Sequence, residues 1–299
     1  MSEINVSSNY HTKVFETIVT RRSRLCVGLD PDLNRFPTEH LPGKSFNLKK
    51  NIEYFFKEII YSTSEECCAY KPQAAMFSAL GCEDLLVDLI CWVRKVFPDH
   101  LVIFDGKRGD IGNTAKHYAI ESFERYEADA TTVSPYMGPE SIMPFLENRS
   151  HGIYVLCKTS NIGSDEIQNV FVSKNSEQKA VLPLYEYIAE IFVEFDVSNQ
   201  IGLVVGGNCI DELQTIQRRF PSTPLLLPGI GSQGGKIEEV TSIIDNYDES
   251  SAAKNSIEKH NNNLVNVSRS VIYASTGKDW KEAARKKART FNLNLGSGI

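Results

Sequence analysis

The sequence predicts a (β/α)8 fold, a TIM barrel with one extra helix before its first strand. Three observations point there. Short apolar runs and amphipathic segments alternate eight times in one pass along the 299 residues, the order that builds a parallel sheet with helical crossovers. The runs are apolar almost without a break, as strands buried on both faces require. Charged residues gather where the runs end, and the reactive face of such a barrel lies at the C-terminal ends of its strands. An open doubly wound sheet is the competing architecture, which the count of eight disfavours.

Each element can be justified in turn. Tyr10 to Arg21 is amphipathic and precedes the barrel. SRLCVGLDPDL is the first strand, ended by Asp30 and Pro31. A helix from about Asn47 carries Ile52, Phe55, Phe56, Ile59 and Ile60 at helical spacing. CAYKPQAAMF reads as the second strand, with Lys71 near its end, and Cys82 to Val96 as the next helix. LVIFDGKRGDIGNTA is the third strand, and Asn113 or Thr114 caps the helix behind it. ATTVSPY is the fourth strand, with a short helix at Pro139 to Leu146. GIYVLCKTS is the fifth, then a helix from Val181 to Phe195. IGLVVGG, PLLLPGIG and LVNVSRS are the last three, followed by helices at Asp211 to Arg219, Lys236 to Ile244 and Lys278 to Arg289. The basic outer face of the last helix reads as a solvated surface.

The whole chain, 1–299, is thus expected to be one barrel domain. Two polar stretches interrupt its rhythm. Residues 161–179 follow the fifth strand on the reactive side, so they are a candidate lid or a plain disordered loop. Residues 245–263 precede the eighth strand and read as a mobile insertion.

Bulk properties narrow the function. A net charge of -6 argues against general nucleic-acid binding, although a local pocket can still hold an anionic small ligand. No apolar run is long enough to span a bilayer, and MSEINVSSNYHTK lacks the layout of a secretory signal. Seven scattered cysteines without a CxxC pair suit a reduced, cytoplasmic protein. The histidines show no ligand spacing, so no metal site is expected. No Walker loop, GxGxxG fingerprint or GxSxG elbow appears.

The chemistry concentrates in Leu101 to Ala115. Strand side chains alternate, so Asp105 and Lys107 point the same way, while Asp110 comes after the chain has left the strand. Buried strands avoid charges unless these are paired. Asp105, Lys107 and Asp110 therefore form either a structural ion-pair network or a catalytic site. The other strand ends add Asp30, Lys71, Thr159, Ser160, the loop PGIGSQGG from Pro228 to Gly235, and Arg269. Singly each has an ordinary explanation; their placement on one rim makes a site. A Gly-rich loop after the seventh strand and an arginine ending the eighth suit a phosphate clamp. Glycines 229, 231, 234 and 235 let backbone N–H groups approach an anion, and Arg269 offers a forked donor.

At this point a family resemblance is visible. DGKRGDIGNT, from Asp105 to Thr114, resembles the signature of the orotidine 5'-monophosphate decarboxylases. CVGLDPD, YKPQAAMF, KTSN, LLLPGIGSQGG and VSRSVIYA extend the similarity over almost the whole chain, toward the longer (type 2) subfamily of some bacteria and apicomplexans. The DxKxxD pattern is shared with magnesium-dependent sugar-phosphate decarboxylases and aldolases of the same superfamily. Those relatives carry a glutamate at the second strand, where this chain has Lys71.

The resemblance implies a cofactor-free conversion of orotidine 5'-monophosphate to uridine 5'-monophosphate, the last step of de novo pyrimidine synthesis. Lys107 would stabilise and protonate the C6 carbanion, within a charged row that includes Asp105 and Lys71. Asp30 and Lys71 would hold ribose hydroxyls, and Thr159 or Ser160 the pyrimidine. Pro228 would line the ring pocket, Gln233 would bridge toward the phosphate, and Arg269 would grip it. Asp110, Ile111 and Thr114 would reach into the neighbouring site of a homodimer. One departure is visible: VVGGN stands at Val204 to Asn208, where the resemblance leads one to expect something like VVGAT.

Overall fold

The computed structural model describes residues 9–41, 48–173, 181–231, 234–250 and 262–296. Asn9 caps the first helix, Tyr10–Arg21 (α1), by accepting a bond from the Thr12 N–H, and Arg22 ends it in the left-handed conformation. Leu25–Leu29 (β1), Leu48–Thr63 (α2) and Ala69–Pro72 (β2) follow, then Ala74–Ala79 (α3) and Glu83–Val96 (α4). Leu101–Arg108 (β3), Gly112–Ile120 (α5), Ala130–Val133 (β4) and Gly152–Lys158 (β5) complete the first half. Beyond them lie Ser164–Gln168 (α6), Phe171–Ser173 (β6), Val181–Pro183 (β7) and Leu184–Phe195 (α7). The second half continues with Ile201–Val205 (β8), Ile210–Arg219 (α8), Leu225–Leu227 (β9) and Ile237–Ser250 (α9). Leu264–Val267 (β10), Arg269–Ile272 (α10) and Trp280–Asn294 (α11) close the series.

Eight of these strands form a closed barrel in the order β1-β10-β9-β8-β5-β4-β3-β2. Neighbours are parallel throughout, and β10 pairs with β1 to seal the ring. Because strand side chains alternate, each strand supplies two cores. Outward residues such as Val27, Tyr70, Phe104 and Val265 pack under the helices. Inward residues such as Cys26, Ile103, Tyr154 and Leu264 fill the lumen.

The extra helix closes the lumen from below. Tyr10, Val14 and Ile18 recur every four residues on one face of α1 and belong to the lumen cluster. The Tyr10 hydroxyl donates to that of Tyr154 at 3.2 Å. The seat requires Gly152, where a Cβ would lie 2.0 Å from the Tyr10 ring.

Local structure departs from expectation at several places. The second strand stops at Pro72, and the alanine-rich residues behind it turn into α3. Asn113 and Thr114 do not cap α5: its N-cap is Ile111, without a side-chain bond, and Gly112 opens the first turn at φ +53°. Pro139–Leu146 is a 3-10 helix with Pro144 inside it. The helix expected from Val181 begins at Leu184, because Val181–Pro183 pairs antiparallel with Phe171–Ser173. The expected lid 161–179 therefore contains α6 and a hairpin strand, while residues 174–179 lie outside the described residues. Of the stretch 245–263, α9 takes in residues up to Ser250, and 251–261 lie outside the described residues. Among the described residues no helix is long and apolar enough to cross a membrane.

One buried histidine at the base makes stability depend on pH. His100 Nε2 lies 2.9 Å from the Ser64 carbonyl, its ring stacks on Tyr70, and its Nδ1 is buried without a partner. Burial, aided by Arg21, lowers its pKa to about 4 despite the Ser64 bond. A lowered histidine contributes stability above its unfolded pKa near 6.5 and loses it as pH falls toward 4, here about 3 kcal/mol. We expect His100→Phe to flatten that part of the profile, measured as urea unfolding free energy at pH 7 and pH 4.5. An unchanged slope would show that His100 does not carry it.

Candidate active site

The C-terminal ends of the barrel strands surround a cavity of about 880 Å³. Asp30, Lys71, Asp105, Lys107, Thr159, Ser160, Pro228, Gly229 and Arg269 all line it. The chain thus brings together most of the residues singled out from the strand ends. Leu156, Val204 and Leu226 add apolar surface, as do Tyr187, Ile188 and Phe192 of α7.

Asp105 is the centre of the charged floor. It is 5% exposed and accepts four bonds. Lys71 Nζ and Gln73 Nε2, the latter at 3.0 Å, donate to one oxygen. Lys107 Nζ at 2.5 Å and Thr132 Oγ1 at 2.9 Å donate to the other. Burial alone would raise the pKa of Asp105, but Lys71 and Lys107 outweigh it and hold the carboxyl well below the usual range. Its stabilising contribution is present above the ordinary carboxylate pKa and is lost only as pH falls through the much lower folded value. For Lys71, burial pushes the ammonium down, yet Asp105 and then Asp30 overcome it and raise the pKa. Both groups are fixed as ions.

Lys107 is presented differently. Its backbone has φ +47°, a left-handed conformation inside a strand. Such a residue stores about 1–3 kcal/mol of strain and needs surroundings that hold it. Thr132 Oγ1 accepts the Lys107 N–H at 3.0 Å. Just beyond, Arg108 forks onto Glu121 with two bonds of 2.8 Å and fixes the strand's exit. The Lys107 side chain is 47% exposed at the cavity. The ammonium facing the free space is therefore that of Lys107, while Lys71 is enclosed.

Asp110, Ile111 and Thr114 do not line this cavity. Asp110 Oδ1 accepts the neighbouring Ile111 N–H at 2.8 Å, and the Ile111 side chain is 51% exposed. The charged row from Asp105 to Asp110 is thereby divided: Asp105 and Lys107, within the third strand, share one carboxylate contact, and Asp110, beyond its end, stands apart.

At the opposite wall, Ser268 Oγ donates to Asp30 Oδ2 at 2.5 Å. The Tyr273 hydroxyl donates to the Asp30 carbonyl at 2.8 Å and accepts the Asp32 N–H at 2.7 Å. One short segment, from Ser268 to Tyr273, thus carries Arg269 and also braces Asp30. Arg269 is exposed at the rim, with no carboxylate against it among the described residues. In the Gly-rich loop, Gly229, Gly231 and Gly234 all have positive φ. The N–H groups of Gly231, Gly234 and Gly235 bond to carbonyls of the loop itself. Gln233 lies outside the described residues.

Thr159 sits in a closed network: it donates to Asn161 Oδ1 at 2.7 Å, and Gln168 bonds both its N–H and its hydroxyl at 2.8 Å. The neighbouring Lys158 is 1% exposed and anchors α6, donating to Ser164 Oγ at 3.0 Å and pairing with Asp165. VVGGN also finds a local reason. Gly207 N–H reaches the Pro228 carbonyl at 2.7 Å, and a Cβ there would lie 2.3 Å from Ile230 Cδ1. Asn208 Nδ2 donates to the Ser160 carbonyl at 3.0 Å, tying this loop to the fifth strand's end.

Sequence reasoning missed Gln73, Thr132, Lys158, Ser268 and Tyr273. For Gln73, the only signal was its spacing two residues after Lys71, and for Lys158 the motif KTSN.

Comparison with known proteins agrees with this geometry. The sequence profile described as "Orotidine 5'-phosphate decarboxylase / HUMPS family" matches residues 23–286. An orotidine 5'-phosphate decarboxylase of Herpetosiphon aurantiacus is 43% identical over 274 residues, covering 91% of this chain and 92% of that one. Among solved structures, Leishmania donovani OMP decarboxylase superposes with a TM-score of 0.74 at 32% identity, over 96% of this chain and 99% of that one. Leishmania donovani UMP synthase gives 0.75 at 32% identity, over 97% of this chain and 57% of that one.

Proposed function

Because this chain belongs to the orotidine 5'-phosphate decarboxylase / HUMPS family, we propose that it decarboxylates orotidine 5'-monophosphate to uridine 5'-monophosphate. The observation that carries the reading is Asp105 with the Lys71 and Lys107 ammoniums on its two oxygens, at the floor of a nucleotide-sized cavity. The bond from C6 to the carboxyl carbon breaks, CO2 leaves, and the electron pair stays on C6. Lys107 Nζ stabilises that localised charge and then gives it a proton, which water restores to the amine. A preorganised cation in a site with little water is worth far more than in bulk solvent. Arg269 holds the phosphate at the rim, and that binding energy aligns the ring over Lys107.

The magnesium-dependent alternative lacks support in the second strand. Lys71 puts an ammonium against Asp105, and a divalent cation sharing that carboxylate would meet it as a like charge. The deciding assay follows the absorbance of orotidine 5'-monophosphate with purified protein and excess EDTA. Full turnover is expected; none, or turnover that needs magnesium, would overturn the reading.

The proposed working form is a cytoplasmic homodimer in which Asp110, Ile111 and Thr114 complete the neighbour's site. Ile111 and Ile120 at the two ends of α5, and Met137 and Met143 in and just before the 3-10 segment, are exposed apolar residues, the kind of surface a second copy covers. Pro228 lines the ring pocket, with Thr159 and Ser160 beside the pyrimidine. Tyr273 is a positioning residue for Asp30. Tyr273→Phe removes both of its bonds to the Asp30–Asp32 turn, so we expect KM to rise about 5–10-fold with kcat changed less than about twofold. A fall in kcat alone would contradict this role.

A further inference from the structure

Two buried acceptors in the cavity wall have no donor among the described residues: Asp30 Oδ1 and Asn266 Oδ1. Asn266 is 7% exposed, lies on β10 beside Cys26 of β1, and lines the cavity. It follows Leu264, which packs in the lumen, and precedes Ser268, which bonds Asp30. Alternation along β10 places Leu264 and Asn266 on the inward face. Cys26, opposite Asn266 in the register, is a poor donor, and Leu226 and Val204 of the same cavity lining are none. A buried amide oxygen left without a donor is costly, so its retention in the wall of a binding cavity points to a ligand group that satisfies it.

We propose that Asn266 is a specificity-determining residue that hydrogen-bonds a sugar hydroxyl of the nucleotide, beside Asp30. This rests on the nucleotide reading of the cavity. A hydroxyl is the group that fits best. It donates to Asn266 Oδ1 as drawn, and it accepts if the amide is turned about its long axis. A vicinal diol brings two such groups to the two orphaned acceptors on one wall. A phosphate oxygen would meet Asp30 as a like charge, and an apolar ring would leave both acceptors unsatisfied.

Calorimetric binding of uridine 5'-monophosphate, its 2'-deoxy form and its 3'-deoxy form to wild type and Asn266→Leu tests the inference. The leucine variant is expected to bind the parent nucleotide about tenfold more weakly. It should bind one of the two deoxy forms nearly as well as wild type binds that form. Equal weakening of all three would mean that Asn266 shapes the floor without reading the sugar, and would overturn the proposal. Asn266→Ala gives the same comparison if the leucine variant does not fold. Failure of wild type to bind the parent nucleotide would instead strike at the nucleotide reading itself.

Discussion

Lys107→Ala is expected to lower turnover of orotidine 5'-monophosphate at least about 1,000-fold, because it removes the cation proposed to face the developing charge. The fold should survive. The Lys107 side chain is half-exposed, and Asp105 keeps Lys71, Gln73 and Thr132 as donors after the change. Single-turnover kinetics alongside a thermal melt would check both halves of the expectation. Loss of less than tenfold with an intact fold would remove Lys107 from the reaction. The reverse lesion should behave differently: Asp105→Ala leaves Lys71 buried without its counter-ion, and such broken pairs cost about 3–5 kcal/mol of stability. A readout of activity alone would confuse the two.

Mixing inactive variants gives the second large effect. Lys107→Ala and Asp110→Ala protomers, each nearly inactive alone, should recover about a quarter of wild-type activity after subunit exchange at equal amounts. Half of the dimers are then mixed, and each mixed dimer has one site with neither lesion and one with both. The structure motivates the pairing, since Asp110 follows Lys107 by only three residues yet does not line Lys107's cavity. Absence of recovery, with exchange demonstrated by labelled subunits, would place Asp110 outside any shared site.

The barrel and the charged floor were legible in the sequence because both rest on strong local signals. Buried parallel strands must be apolar on both faces, and a charge at the end of such a strand stands out. Asp30, Lys71, Asp105, Lys107 and Arg269 were visible for that reason, and all five line the cavity. The supporting residues carry no such mark. Thr132 holds both Asp105 and Lys107, but ATTV is also what an ordinary β-strand looks like. Asn266 and Ser268 are small polar residues whose meaning depends on a strand face that only closure of the barrel defines. The hairpin of β6 and β7 was hidden because its two strands are three residues each and lie in polar surroundings. The left-handed backbone at Lys107 leaves no trace in residue type at all, since lysine ordinarily avoids that conformation.

The plug formed by α1 bears on the closure of the barrel. Its seat combines Gly152 and Tyr154 from the middle of the chain with Cys26 near the beginning and Leu264 near the end. No half of the barrel can offer that surface, so the seat of α1 is complete only in the closed ring. Ring closure between β1 and β10 costs loop entropy over nearly the whole chain, and the contacts of α1 help offset it. Burial of Tyr10 thus couples α1 to the whole ring: its seat includes residues of both β1 and β10, the pair that closes the barrel.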